Sequence, residues 1–156
     1  MQCLIICVGN KMPSWCIEAC EEYLTRLRHS MKCVLIEIPA AKRHKAGNVA
    51  QYKEEEALKI LQKITPMHHV VALEVTGNAW STPKVANALS SWQQLGKDVA
   101  FLIGGPDGLS EKCLARANQQ WSLSALTFPH PLARVVLLEQ LYRAWSILSN
   151  HPYHRE

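Results

Sequence analysis

The 156-residue sequence predicts a single α/β domain, residues 1–156, built on a mostly parallel sheet with helices on both faces. Three observations predict it. Short apolar runs alternate with longer amphipathic ones along the whole chain, the pattern of repeated strand–helix units. The short runs are almost continuously apolar, as strands buried on both faces are. No internal repeat, linker or low-complexity segment divides the chain.

The elements follow in order. Cys3 to Val8 reads as a strand. Trp15 to Leu27 reads as a helix with Ile17, Cys20, Leu24 and Leu27 on its core face, and Pro13 and Ser14 suit its start. Val34 to Ile38 is a second strand, ended by Pro39, and Ala40 to Gly47 is a polar, basic loop. Asn48 offers an N-cap with Gln51 as capping-box partner, and that helix runs to about Ile64, ahead of Pro66. Val70 to Val75 is a third strand, followed by a turn at Thr76-Gly77-Asn78. Thr82 caps the next helix with Pro83 in its first position, and Gly96 follows its end near Leu95. Val99 to Ile103 is a fourth strand that runs into Gly104-Gly105-Pro106, and a short helix follows Ser110. Trp121 to Phe128 is a fifth strand or an extended loop, and Pro131 opens a last helix that ends near Ser149. That last helix is apolar over most of its circumference, with a polar stripe of Glu139, Arg143, Ser146 and Asn150. Such a helix is buried on more than one side, either deep in the domain or also against a second subunit.

Composition narrows the class. A chain 48% hydrophobic and 19% charged can bury a core, which excludes disorder. A formal charge of +4 permits a nucleic-acid partner without demanding one. The stretch Met1 to Asn10 lacks a basic region and has only a short apolar run, too little for a signal peptide or membrane span. Six cysteines without such a leader read as free thiols in a reduced, cytoplasmic protein. Cys3/Cys7 and Cys16/Cys20 are each four apart, so each pair shares one face, and the spacing suits a core rather than a metal site. No metal is expected.

Four segments carry candidate chemistry. Ligands of an open parallel sheet bind beyond the carboxyl ends of its strands. There, Leu102-Ile103-Gly104-Gly105-Pro106-Asp107-Gly108 either lets backbone approach a ligand closely or makes a tight turn. Trp121 to Pro131 is either an apolar wall whose backbone reads an adenine edge, or a buried strand and a rigid turn. The tail, Asn150-His151-Pro152-Tyr153-His154-Arg155-Glu156, is either a solvated end or a source of acid–base groups and a cation. Lys42-Arg43-His44-Lys45 is either solvated surface or a set of phosphate contacts.

Together, Leu102 to Gly108, Ser122-Leu123-Ser124 through Pro129-His130, Glu139 to Ala144 and Pro152-Tyr153-His154 resemble the ribosomal RNA large subunit methyltransferase H (RlmH) family of the SPOUT superfamily. The resemblance runs from Met1 to Glu156. It implies a SPOUT (alpha/beta knot) fold with a C-terminal trefoil knot and a homodimer that uses S-adenosyl-L-methionine. The implied reaction is methylation of pseudouridine N3 in the helix 69 loop of 23S rRNA, within the assembled ribosome. It further implies that Leu73, Gly104, Leu123, Ser124, Ala125, Leu126, Thr127 and Phe128 bind the cofactor. Catalysis would fall to the tail, with His154 the first choice as base, Tyr153 the second, and Arg155 on phosphate or the developing anion. Lys42, Arg43 and Lys45 would contact RNA. The competing expectations are another SPOUT enzyme acting on tRNA, a non-enzymatic nucleotide-binding module, and a ribosome-binding factor without catalysis.

Overall fold

A computed structural model describes residues 1–155; Glu156, the last residue of the expected domain, lies outside the described residues. The elements are β1 (Gln2–Val8), α1 (Ser14–Leu27), β2 (Lys32–Ile38), α2 (Val49–Leu61), β3 (His69–Ala79), α3 (Thr82–Leu95), β4 (Val99–Ile103), α4 (Glu111–Arg116), β5 (Gln119–Ser122) and α5 (His130–Leu148). The strands lie in the order β2-β1-β4-β3-β5, and every pairing between them is parallel.

Parallel strands need crossovers, and the helices that supply them cover both faces. On one face α1, α3 and α5 pack over Cys3, Ile5, Cys7, Val71, Val99, Phe101 and Ile103. On the other, α2 and α4 pack over Ile6, Val8, Val70, Ala72, Ala100 and Leu102. Alternate residues of one strand thus serve two cores, which is why the strands are continuously apolar. All six cysteines are free thiols, and Cys3, Cys7, Cys16 and Cys20 share the first core, as their spacing predicts. Burial pushes Cys7 and Cys20 up to about 12, so these thiols stay protonated and inert.

Several boundaries differ from expectation for definable reasons. The core face of α1 is Cys16, Cys20 and Leu27, whereas Ile17 is 48% exposed and Trp15 50%. β2 begins at Lys32, because an edge strand pairs through its backbone whatever its side chains. Asn48 and Gln51 form the predicted reciprocal capping box, but α2 stops at Leu61. Beyond it, the Lys63 and Ile64 N–H groups donate three residues back and tighten the chain out of the helix. Ser81, not Thr82, caps α3, while Thr82 Oγ1 donates to Gln140 Oε1 of α5 at 3.0 Å. Gly96 ends α3 in the left-handed conformation, φ 64°.

The largest departure is at β3. The predicted turn at Thr76-Gly77-Asn78 is strand, and the ladder to β5 is broken: Leu73 and Asn78 both lie opposite Trp121. Gly77 crosses so close to β5 that a Cβ there would meet the Gln120 carbonyl carbon at 2.8 Å. β5 itself runs from Gln119 to Ser122, and the remainder of the segment expected as strand or extended loop, 123–128, is loop.

α5 also carries two buried polar groups, Arg134 and Ser146, each 0% exposed. Arg134 pairs with Glu37 of β2 at 2.8 Å and donates to the Gly9 carbonyl at 2.7 Å, tying α5 to the ends of β1 and β2. Removing one partner of a buried pair leaves the other uncompensated. Glu37→Ala should therefore lower stability in urea unfolding by about 2–3 kcal/mol, below the ~3–5 of a fully buried pair because Glu37 is 37% exposed. An unchanged urea midpoint would show that the pair does not anchor the helix.

Candidate active site

β3 and β5 end together, Ala79 opposite Ser122, whereas β4 ends at Ile103, opposite Leu73 of β3, and leaves the sheet open beyond that point. A cavity of ≈ 450 Å³ opens there, within the range of small-molecule sites. Leu73 and Glu74 of β3 form one wall and Ile103 with Gly104 and Gly105 forms the floor. The loop from Ser122 to Pro129 and the start of α5 close the far side.

Local chemistry shapes both loops. A Cβ on Gly104 would stand 2.5 Å from the Gly108 carbonyl carbon and 2.8 Å from the Leu109 nitrogen. Only glycine lets the chain leave β4 and fold back on itself at that distance. In the second loop, Ser122 Oγ donates to the Ser124 carbonyl at 3.0 Å, and the Leu126 N–H donates to Ser124 Oγ at 3.0 Å. These short-range bonds replace the strand ladder and turn the segment over the cavity.

Of the cofactor residues expected from sequence, Leu73, Gly104, Leu123, Ser124, Leu126, Thr127 and Phe128 line this cavity; Ala125 is exposed and is not part of its wall. The wall has the character that S-adenosylmethionine requires. Apolar side chains suit a flat adenine, and a glycine floor without Cβ atoms leaves backbone polar groups within reach of its edge. His130, at the start of α5, also lines the cavity, with a buried Nδ1 that has no hydrogen-bond partner among the described residues.

The tail lies elsewhere. Asn150 adopts a left-handed conformation, φ 56°, and the His151 N–H donates to the Ser146 carbonyl at 2.9 Å, which turns the chain back along α5. Tyr153 packs edge-on against Tyr142, with ring centroids 4.6 Å apart. Its hydroxyl donates to Glu139 Oε1 at 3.1 Å and meets the Tyr23 hydroxyl at 3.4 Å. The guanidinium groups of Arg26 and Arg143 flank its ring at 5.7 and 5.1 Å. Burial, the Tyr23 hydrogen bond and the nearby Glu139 carboxylate all hold the Tyr153 phenol above its usual range. His154 Nδ1 lies 3.2 Å from Ser146 Oγ, and Arg155 is exposed. No residue of 151–155 lines the cavity of its own chain.

The basic loop is divided. Lys42 and Lys45 are exposed, whereas Arg43 pairs with Asp107 at 2.6 Å and stacks 4.3 Å over the Tyr52 ring. Arg43 thus braces the loop that follows Gly104 against α2. Sequence reasoning gave no role to Arg134, His130, Glu74 or Ser146. The available signal was Arg134, a cation that lies off the polar stripe of Glu139, Arg143, Ser146 and Asn150 and so among apolar neighbours, where a charge needs a partner across the core.

A family model described as "Predicted SPOUT methyltransferase" matches residues 1–154. The chain is 54% identical over 156 residues to "Ribosomal RNA large subunit methyltransferase H" of Hahella chejuensis, covering 100% of both proteins. Two solved structures share the fold at low identity. A probable methylase family protein from Haemophilus influenzae aligns with a TM-score of 0.57 at 11% identity, over 99% of this chain and 70% of that one. A probable rRNA-methyltransferase from Porphyromonas gingivalis gives 0.55 at 15%, over 94% and 69%.

The burial of His130 has a measurable sign. Desolvation first, and the Arg134 charge second, push its imidazole below 6.5. As pH falls through about 6.5 the unfolded chain takes up this proton before the folded one does. The stabilisation is therefore complete above that pH and lost below it. Urea midpoints measured from pH 7.5 down to 5.5 should fall more steeply for the wild type than for His130→Gln; parallel curves would contradict this.

Proposed function

The chain belongs to the SPOUT methyltransferase family, and from that premise we propose that this S-adenosylmethionine-dependent enzyme methylates N3 of a pseudouridine in the helix 69 loop of 23S rRNA. It acts in the cytoplasm on assembled ribosomes, as a homodimer whose C-terminal trefoil knot shapes the cofactor loops. The observation that carries this reading is the cavity beyond Ile103 of β4 and Leu73 of β3, on a chain whose full length matches a relative named for rRNA methylation.

S-adenosylmethionine brings a methyl group already activated on a sulfonium. The protein must hold that methyl in line with a nucleophile and take a proton from it. Leu73, Gly104 and the Leu123–Phe128 loop hold the cofactor. A pseudouridine N3–H is a poor nucleophile until deprotonated, and His154 is the base. Ser146 Oγ donates its one hydrogen to the Arg143 carbonyl at 2.7 Å, so toward His154 it can only accept. Nδ1 must then carry the proton, which leaves the Nε2 lone pair free to receive one from N3. Tyr153, held protonated by its surroundings, serves as an anchor rather than the base. Arg155 neutralises the developing anion or a phosphate.

Because the tail does not reach the cavity of its own chain, it completes the site of a second copy. The exposed apolar residues Trp15 and Ile17 on α1, and Leu148 at the end of α5, support a self-complementary interface on this side of the molecule. Exposed Lys42 and Lys45, together with the outer part of Arg43, contact RNA phosphates.

Four outcomes test this. Mass spectrometry of rRNA from the host should show loss of one methyl on the helix 69 pseudouridine when the gene is deleted; persistence of the methyl contradicts the assignment. Removing residues 153–156 should abolish methylation while preserving cofactor affinity, and Ser146→Ala should lower kcat by at least about tenfold with little change in KM. Equal activity of either variant and wild type would remove the tail from the mechanism. Neutralising Lys42 or Lys45 should reduce the slope of log affinity against log salt by about 0.9 for duplex-like RNA; an unchanged slope returns the loop to ordinary surface.

A further inference from the structure

We propose that Glu74 makes the cavity selective for the cationic methyl donor over its uncharged-sulfur product, and so sets the affinity ratio between S-adenosylmethionine and S-adenosylhomocysteine. This rests on the cavity being the cofactor site, as read above.

The sheet puts Glu74 there through the break in β3. Leu73 is the last β3 residue paired with β4, opposite Ile103. The next four residues, Glu74 to Gly77, lie outside the β5 ladder, which resumes at Asn78 opposite the same Trp121. A regular strand would carry this segment past the opening; the excursion leaves Glu74 and Val75 on the wall instead. Gly77, pressed against the Gln120–Trp121 backbone, pins its far end.

The electrostatics are one-sided. Among the described residues lining the cavity, Glu74 supplies the only carboxyl group, and the other ionisable side chain is His130. Glu74 Oε1 accepts from the N–H of the adjacent Val75 at 3.0 Å, and Glu74 belongs to none of the described ion pairs. Burial and Arg134 favour the neutral form of His130, so it does not compensate the carboxylate. The cavity therefore presents one negative charge with no cation of its own, in otherwise largely apolar surroundings.

Methyl transfer changes the charge that this carboxylate meets. The S–CH3 bond breaks and its electron pair stays on sulfur, the N3–CH3 bond forms, and the N3 proton passes to the base. A sulfonium becomes a neutral thioether while the α-ammonium and α-carboxylate are unchanged. Attraction to Glu74 acts on the donor and largely vanishes in the product, which favours release after turnover.

The test is calorimetric titration of the full-length protein with S-adenosylmethionine and, separately, S-adenosylhomocysteine. Glu74→Gln should weaken donor binding by about five- to tenfold, the scale of one partly solvated charge pair, and leave product binding within about twofold. Glu74→Asp should restore most of the difference. In the wild type the donor-to-product ratio should fall as salt rises, because added ions screen a partly exposed charge. Equal weakening of both ligands, unchanged donor binding, or a ratio independent of salt in the wild type would each overturn the assignment of Glu74. Wild-type protein that binds neither ligand would overturn the cofactor-site reading itself.

Discussion

The close approach of Gly104 to the Gly108–Leu109 backbone is the constraint on which the cavity depends. β4 runs between β1 and β3 and is buried along its length, so the chain that leaves it has no freedom of direction until Ile103 ends the ladder. It must then reverse within a few residues, because α4 has to return across the opposite face and pack on Leu102 and Val70. A side chain at Gly104 would fill the space between the two arms of that reversal. The open floor of the cavity and the position of α4 are thus consequences of one contact between two stretches of backbone. Arg43, reaching from the loop before α2 to Asp107, braces the same reversal from outside.

Two sets of chemically capable groups are kept apart by the fold. The cavity has apolar walls, backbone polar groups, one carboxylate and an imidazole whose neutral form is favoured. The tail has a phenol held protonated, an imidazole oriented by a buried serine, and an exposed guanidinium. The first set suits holding a small molecule, and the second suits moving a proton and balancing charge on a larger partner. Neither is sufficient for methyl transfer to a weakly acidic N–H, which needs both at one place. Within one chain the tail is fixed against α1 and α5 by Tyr23, Tyr142 and Glu139, away from its own cavity. On the proposed reading, a second copy resolves that separation, and the rigid packing of Tyr153 serves to present His154 and Arg155 outward.

Much of the fold was legible in the sequence because local signals and burial agree. Continuous apolar runs located β1 to β4, and β4 has the predicted bounds, whereas β5, with the sequence Gln-Gln-Trp-Ser, offers no such run. The Asn48–Gln51 box and Gly96 marked helix ends through backbone chemistry that does not depend on context. Most of the cavity wall was anticipated through the family resemblance of the Leu102–Gly108 and Ser122–His130 motifs, whereas composition alone left each segment open between a ligand wall and a tight turn or buried strand. What escaped were features set by long-range contact. Thr76-Gly77-Asn78 has the composition of a turn, yet Gly77 is required there by the passing backbone of β5. The core stripe of α1 keeps Cys20, Leu24 and Leu27 but takes Cys16, whose thiol reaches the Pro131 carbonyl, in place of the exposed Ile17. Ser146 lies on the expected polar stripe and no expectation covered Arg134, yet both are buried: Arg134 pairs with Glu37, distant in sequence, and Ser146 bonds the Arg143 carbonyl and meets His154 of the returning tail.

The proposed composite site makes a demand that a self-contained monomer would not. A Thr127→Trp chain, blocked in the cavity but with an intact tail, and a chain lacking residues 153–156, intact in the cavity, should each be inactive alone. Mixed and allowed to exchange subunits, they should recover about a quarter of the wild-type rate on ribosomes, since half the dimers then carry one complete site of two. A mixture as inactive as its components, with subunit exchange verified by mass, would contradict a site shared between two copies.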